Sequence, residues 1–456
     1  MYEYTKLTDQ HIAEICAMFG TEKVSVREAD LNLHSRDQSF HEAHPPDMVI
    51  WPESTEEVSQ ILRYAHAACI PVTAWGAGTS LEGNPLAVYG GIILDLSRMN
   101  RILDIRAEDF QVDVQPGVTR LDLNKALARY GLFFAPDPGA NASIGGMIAN
   151  NSSGIKTIKY GATKDNVMRL EAVLASGDVL KVGTRARKDS SGYDLLHLFI
   201  GSEGTLGIVT EATLKLAPVP ANFSAVIAAF ESINAAMQAV VDIVGAGLDP
   251  SALEFVDKET INALDIDKGL TWAVAPTILM EFNGNSDDQG LDAALDICKE
   301  NGATSFESAA GLEQRNRLWE VRHHTYESLL RLHPEETQLI MDVAVPLSKY
   351  PELVMFANDV LVEHNLIGYK FGHAGDGNLH INILYKPETL EVAQAANALI
   401  IERAIELEGT ATGEHGVGIG KREFIVKQHG ASLDVMRQVK SLLDPNWILN
   451  PGKIFL

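Results

Sequence analysis

An α+β fold in two large units is predicted for this 456-residue chain by three features. Strand and helix patterns alternate over the first half, a Pro-flanked stretch at 214–220 interrupts them, and further strands and helices follow without a dinucleotide-type repeat. In the first half a short apolar run, 48–50, precedes Ser54-Thr-Glu-Glu57, a capping-box pattern, with Val58, Ile61, Leu62 and Ala65 at helical spacing behind it. Strand-like stretches follow at 71–75, 91–96 and 110–114, and a helix over 119–130 is closed by Gly131. Most of 167–216 reads as strands. Beyond Pro220, the stretches 225–230, 278–282 and 338–345 suit an antiparallel sheet, and 235–244, 291–300, 313–332 and 347–364 suit its helices.

Hydrophobic residues make up 46% and charged residues 21%, the balance of a well-packed enzyme. A net charge of −24 argues against nucleic acid as a partner and against adhesion to an anionic membrane. Cys16, Cys69 and Cys298 are odd in number and far apart, so neither a disulfide framework nor a cysteine metal site is expected. The start lacks signal-peptide order and no apolar run approaches the ~20 residues of a membrane span. A cytoplasmic protein is expected, with a peripheral place at a membrane left open.

Three glycine-rich stretches stand out. Gly76-Ala77-Gly78-Thr79-Ser80 follows a strand, Trp75 at its end, and offers backbone N–H groups and two hydroxyls to a phosphate. It is neither GxGxxG nor a Walker loop, and alone it could be an ordinary turn. Residues 136–154 and 201–209 are small and polar over many positions, which suits a backbone wrapped round an extended ligand.

Together AWGAGTSLEGN, PDPGANASIGGMIANNSSG, YGATKDNV and GSEGTLGIVTEATLKL resemble the FAD-binding domain of the vanillyl-alcohol oxidase (PCMH) type, over roughly 45–220. The resemblance implies that the loop 76–80, with Trp75, holds the FAD pyrophosphate. It also implies that Pro136, Asp137, Ser143, Gly145, Gly146, Asn150, Ser153, Gly154, Glu203, Gly204, Gly207, Ile208 and Val209 line the cofactor. Covalent members use a histidine in the first loop; residues 74–84 contain none, so non-covalent FAD is expected.

In the second half, residues 369–383 read as a strand, a Gly-Asp-Gly turn and a second strand. Such a hairpin can bring His373 and His380 together, and two imidazoles suit a divalent metal. Glu414 and His415 sit between glycines and could supply a third ligand; structural histidines are the alternative. GHAGDGNLH, GEHGVG and the closing LDPNWILNPGK resemble the C-terminal domain of FAD-linked D-lactate, glycolate and D-2-hydroxyglutarate dehydrogenases, over roughly 220–456. This implies a substrate- and metal-binding domain whose tail, 430–456, returns to the flavin. It further implies Zn²⁺ or Mn²⁺ on His373, His380 and Glu414, His415 as catalytic base, and Asn450 against the flavin.

The chemistry expected is oxidation of a small D-2-hydroxy acid to the 2-oxo acid. A metal would acidify the hydroxyl, a histidine would take its proton, and the hydride would pass to the flavin. Arg322 and Tyr326, four apart on one helix face, are candidates to hold the substrate carboxylate. The 2-hydroxyglutarate enzymes carry a lysine shortly before their Asp-x-x-x-Pro strand; here Gln338-Leu-Ile-Met-Asp342 has none, which favours a monocarboxylate such as D-lactate. No NAD fingerprint is present, so a quinone, a cytochrome or an electron-transfer flavoprotein is the expected acceptor. A homodimer, or partner subunits as in glycolate oxidase complexes, is compatible with the sequence. A flavin-free metal hydrolase would leave the glycine-rich stretches unexplained, and a flavin oxidase using O₂ is a further alternative.

Overall fold

The computed structural model describes residues 3–270, 272–283, 287–310, 315–316, 319, 322 and 324–456. Its contacts divide into two compact units, one of 1–153, 161–219 and 414–456, the other of 154–160 and 220–413.

The first unit holds two main sheets. In the four-stranded sheet, Val24–Ser25, Met48–Ile50, Ile92–Asp95 and Val72–Trp75 lie in that order, the last three parallel. In the antiparallel five-stranded sheet the order is Ile102–Arg106, Gln111–Val114, Ile208–Lys215, Val167–Val173, Val179–Gly183. Helix Thr55–Ala68 buries Val58, Ile61, Leu62 and Ala65 in a cluster that takes in Ile50, Ile92 and Leu94 of one sheet and Val173 and Ile208 of the other. Its apolar positions recur at helical spacing, so one helix serves two sheets. Ser54 caps it by accepting the Glu57 N–H at 3.3 Å. The Glu57 carboxylate reaches the N–H of Glu53 rather than that of Ser54, one residue earlier than a reciprocal capping box requires. The helix expected over 119–130 is divided into Arg120–Leu127 and a 3₁₀ turn Ala128–Tyr130, with Gly131 closing it at φ 65°. The 167–216 stretch interposes a short helix, Leu196–Phe199, among its strands. At the chain end, the Val72 N–H donates to the Ile448 carbonyl and the Val72 carbonyl accepts the Asn450 N–H, which extends the four-stranded sheet by one bridge.

The second unit is built on one seven-stranded sheet in the order Ala303–Ala310, Phe223–Phe230, Thr277–Asn283, Ala252–Val256, Gly368–Gly372, Asn378–Tyr385, Thr337–Ala344, antiparallel throughout. Both faces are covered, which is why Thr277–Asn283 and Asn378–Tyr385 are buried along their whole length. Leu361 of helix Tyr350–Glu363 lies against Gly368 on one face. On the other, Ala252, Val256, Leu279, Tyr369, Phe371 and Leu384 pack with Ile261, Trp319 and Leu329.

The antiparallel sheet thus matches the α+β expectation, with one difference in its helices. The sequence pattern suggests one helix over 313–332, but helix Thr325–Leu332 begins afresh after His324, its N-cap residue. Arg322 therefore precedes the cap, and the continuous helical face expected for Arg322 and Tyr326 is interrupted between them. Several of the positions from 311 to 323 lie outside the described residues. Among the described residues, no helix is long and apolar enough to cross a membrane.

Candidate active site

In the first unit, Trp75 ends a strand with its ring buried against Val49, Ala87 and Ile93, and the glycine-rich loop begins directly after it. Among the described residues, none of the N–H groups of 76–80 donates to a backbone carbonyl. A run of backbone donors without backbone partners fits a pyrophosphate, whose oxygens are acceptors only. Gly76 approaches Ser143 so closely that a Cβ there would lie 2.4 Å from the Ser143 hydroxyl, which brings the first two glycine-rich stretches together. Ser143 caps helix Ile144–Asn150 by accepting the Gly146 N–H at 3.3 Å. Pro136 and Asp137 are buried, and Gly204 is open around its Cα, with no atom nearer than 3.9 Å to an added Cβ. Gly207 precedes the strand Ile208–Lys215, Val209 is its second residue, and its Ile208 side chain belongs to the core.

Asn150, Ser153 and Glu203, also expected at the cofactor, meet the chain's 414–418 loop. Asn150 donates to the His415 carbonyl at 3.1 Å, and the Ser153 hydroxyl to Glu414 Oε2 at 2.8 Å. The buried Glu203 carboxylate accepts the N–H groups of Val417 at 2.7 Å and Gly418 at 2.9 Å, and the Asn84 amide at 2.6 Å. Asn450 spends its amide N–H groups on the carbonyls of Asn84 and Glu203, at 3.0 and 2.6 Å. Glu203 and Asn450 are therefore struts between loops, a role that long-range pairing creates and local sequence does not announce. Lys453, equally buried, donates to the Leu86 carbonyl at 2.6 Å and to Asn450 Oδ1 at 3.2 Å.

In the second unit, register places the polar groups of interest on one face. Val256 opposes Phe371, Phe371 opposes His380, and His380 opposes Asp342, and directly opposed residues share a face. The turn between the hairpin strands spans 373–377, with a 3₁₀ turn at Ala374–Asp376. Gly377 sits at φ 69°, and a Cβ on it would lie 2.1 Å from the Val345 carbonyl, so this position needs glycine. The hairpin does bring the two histidines together. Their ring centroids are 5.2 Å apart, edge to face.

Each imidazole has a carboxylate near its Nδ1. His373 Nδ1 lies 2.6 Å from Glu254 Oε1, and His380 Nδ1 lies 3.8 Å from Asp342 Oδ1. Arg322 closes on the same Glu254, Nε at 3.0 Å and Nη2 at 2.8 Å from Oε2. Burial would raise the Glu254 carboxyl, but His373 and Arg322 outweigh it and hold it below its usual range. Asp342 also accepts from Asn378 at 2.7 Å, from the Thr412 hydroxyl at 3.0 Å and from the Gly413 N–H at 2.8 Å. The residue before Glu414 is thus anchored beside the histidine pair. Two neighbouring imidazoles, one of them oriented by a carboxylate, are a donor set that suits Zn²⁺ or Mn²⁺. Tyr326 is half-buried, and burial raises its phenol above the ordinary value, so it is a hydrogen-bond donor at neutral pH.

The chain matches two family models, a FAD binding domain over residues 46–183 and the C-terminal domain of FAD linked oxidases over residues 219–454. It is 39% identical to a probable mitochondrial D-lactate dehydrogenase of Danio rerio, over 99% of this chain and 92% of that one. It is 40% identical to the glycolate oxidase subunit GlcD of Bacillus subtilis, over 97% and 96% of the two chains. In three dimensions it resembles p-cresol methylhydroxylase with a TM-score of 0.79 at 18% identity, covering 100% of this chain and 98% of that one, which shows a shared fold. The expected vanillyl-alcohol oxidase-type architecture is borne out, and the chain belongs to the FAD-linked oxidase family.

Proposed function

We propose that this protein oxidises a D-2-hydroxy acid, D-lactate or a similar monocarboxylate, to the 2-oxo acid, with FAD and a divalent metal. The observation that carries the reading is the pair of imidazoles, His373 and His380, the first oriented by Glu254, in a chain whose relatives are named for D-lactate and glycolate oxidation. When bound, the flavin supplies a hydride acceptor and the metal a Lewis acid. The loop 76–80, Ser143 and the small residues of 136–154 and 201–209 are assigned to FAD, held non-covalently since no histidine stands in the first loop. His373, His380 and Glu414 are assigned to Zn²⁺ or Mn²⁺.

His415 takes the substrate's hydroxyl proton, a step suited to an imidazole because its ordinary pKa lies near neutrality. Arg322 recognises the carboxylate through the edge of its guanidinium turned away from Glu254, and the protonated Tyr326 phenol donates to a substrate oxygen. The dicarboxylate enzymes carry a lysine shortly before their Asp-x-x-x-Pro strand, and the stretch Gln338–Asp342, on the strand Thr337–Ala344, has none, which favours a single carboxylate. Electrons leave to a quinone, a cytochrome or an electron-transfer flavoprotein. The GlcD relative supports a second reading, a catalytic subunit of a glycolate oxidase complex.

The test is dye-linked turnover with D-lactate, L-lactate, glycolate and D-2-hydroxyglutarate, with metal content measured before and after chelation. D-lactate turnover that a chelator abolishes and Zn²⁺ or Mn²⁺ restores is the expected result. Glycolate turnover alone would favour the second reading, and turnover indifferent to complete metal removal would remove the metal from the proposal.

A further inference from the structure

Glu254 has no role in the chemistry above, yet it is fully buried in the middle of a seven-stranded sheet. An ion so placed is costly unless its oxygens are fully used. They are used in a divided way: Oε1 faces His373 Nδ1 at 2.6 Å, and Oε2 faces the Nε and Nη2 of Arg322 at 3.0 and 2.8 Å. The guanidinium is pinned from a second direction by the Phe371 ring, whose centroid is 4.7 Å away. Phe371 pairs with both Val256 and His380, so strand register locks all of these groups together.

We infer that Glu254 is a positioning residue that fixes His373 as the Nδ1–H tautomer and couples its orientation to that of Arg322. An ionised carboxylate can only accept, so the hydrogen must sit on Nδ1. In a neutral imidazole the lone pair is then on Nε2, the nitrogen that would ligate a metal. Arg322 has donors only and supplies the charge that keeps Glu254 ionised. One side chain therefore sets both the ligand nitrogen and the cation proposed to read the substrate carboxylate.

This account makes Glu254→Gln informative. Glutamine has one acceptor and one donor end, and the guanidinium admits only the acceptor. The –NH₂ must then face His373 Nδ1, which requires a lone pair there and moves the hydrogen to Nε2. Glu254→Asp keeps two acceptor oxygens and should restore the original tautomer.

The inference rests on the metal reading, and the experiment separates the two. Metal-free protein with ¹⁵N-labelled histidine is studied by long-range ¹H–¹⁵N correlation, the His373 signals assigned by their loss in His373→Gln. Wild type should show His373 with Nδ1 protonated and Nε2 bare, Glu254→Gln the reverse, and Glu254→Asp the wild-type pattern. Zn²⁺ affinity, measured by competition with a fluorescent chelator, should fall about 10–100-fold in Glu254→Gln and be largely recovered in Glu254→Asp. A wild-type His373 protonated at Nε2, or a Glu254→Gln protein with unchanged tautomer, overturns the inference, and the first of these needs no Glu254 variant to fold. Wild type that binds neither Zn²⁺ nor Mn²⁺ overturns the metal reading, while the tautomer spectrum still decides the role of Glu254.

Discussion

Replacing Asn450 by alanine removes a strut whose contribution can be worked from the structure. The side chain is 4% exposed and bonds two carbonyls, Asn84 at 3.0 Å and Glu203 at 2.6 Å. Each carbonyl would be left buried without that donor, at about 1–3 kcal/mol apiece. The backbone stands at φ 41°, where asparagine is better tolerated than alanine, which adds up to about 1 kcal/mol. A loss of about 2–7 kcal/mol follows, a large share of the ~5–15 kcal/mol that holds a typical domain folded. Asn446→Ala is the internal control, because the half-exposed Asn446 amide reaches only one residue, His66, its carbonyl at 3.0 Å and its Nδ1 at 3.5 Å, and should cost about 1 kcal/mol. Urea unfolding of the flavin-free proteins, followed by tryptophan fluorescence, gives both values. The Asn450 variant should also release FAD more readily on gel filtration, since the loops it joins are those assigned to the cofactor. An Asn450→Ala protein no less stable than Asn446→Ala would refute the strut argument.

Burial pulls the Lys453 ammonium down to about 7 from its ordinary 10.5. Between those values the unfolded chain holds a proton that the folded chain has released, so stability rises with pH by up to ~1.4 kcal/mol per unit. Lys453→Met lacks that contribution, so its deficit against wild type should widen from pH 7 to pH 10; a constant gap in parallel urea titrations would contradict this. Cys298 is fully buried with its thiol pushed up to about 12, whereas Cys16 and Cys69 are half-buried. A thiol reagent near neutral pH should therefore label two cysteines and reach the third only on unfolding; three equally fast reactions would exclude the burial described. His415→Asn should slow flavin reduction at saturating substrate by about 10²–10⁴-fold with FAD content unchanged, as expected for loss of a general base, and stopped-flow absorbance would detect it.

Much of the architecture was legible because it is written locally. The Gly-Asp-Gly punctuation announced the hairpin that brings His373 and His380 together, and Ser54 announced a helix start. What escaped was set by pairing over long distances. Glu254 lies in Ser-Ala-Leu-Glu-Phe-Val, where alternation would allow its side chain to face solvent, and only the sheet register and a partner 119 residues away show it to be buried and oriented. Glu203 and Asn450 were expected at the cofactor through resemblance, but their carboxylate and amide are engaged by other loops. The Arg322–Tyr326 face failed for a different reason: apolar periodicity runs through His324, whereas the backbone turns there and starts a new helix.

The central claim, a flavin reduced by a D-2-hydroxy acid, is tested most directly by the anaerobic absorption spectrum of the purified protein before and after D-lactate. A band near ~450 nm, the flavin's own, should bleach with D-lactate and persist with L-lactate. A flavin that bleaches equally with both isomers would contradict the stereochemistry, and one that no 2-hydroxy acid reduces, even after Zn²⁺ or Mn²⁺ is supplied, would contradict the proposed reaction.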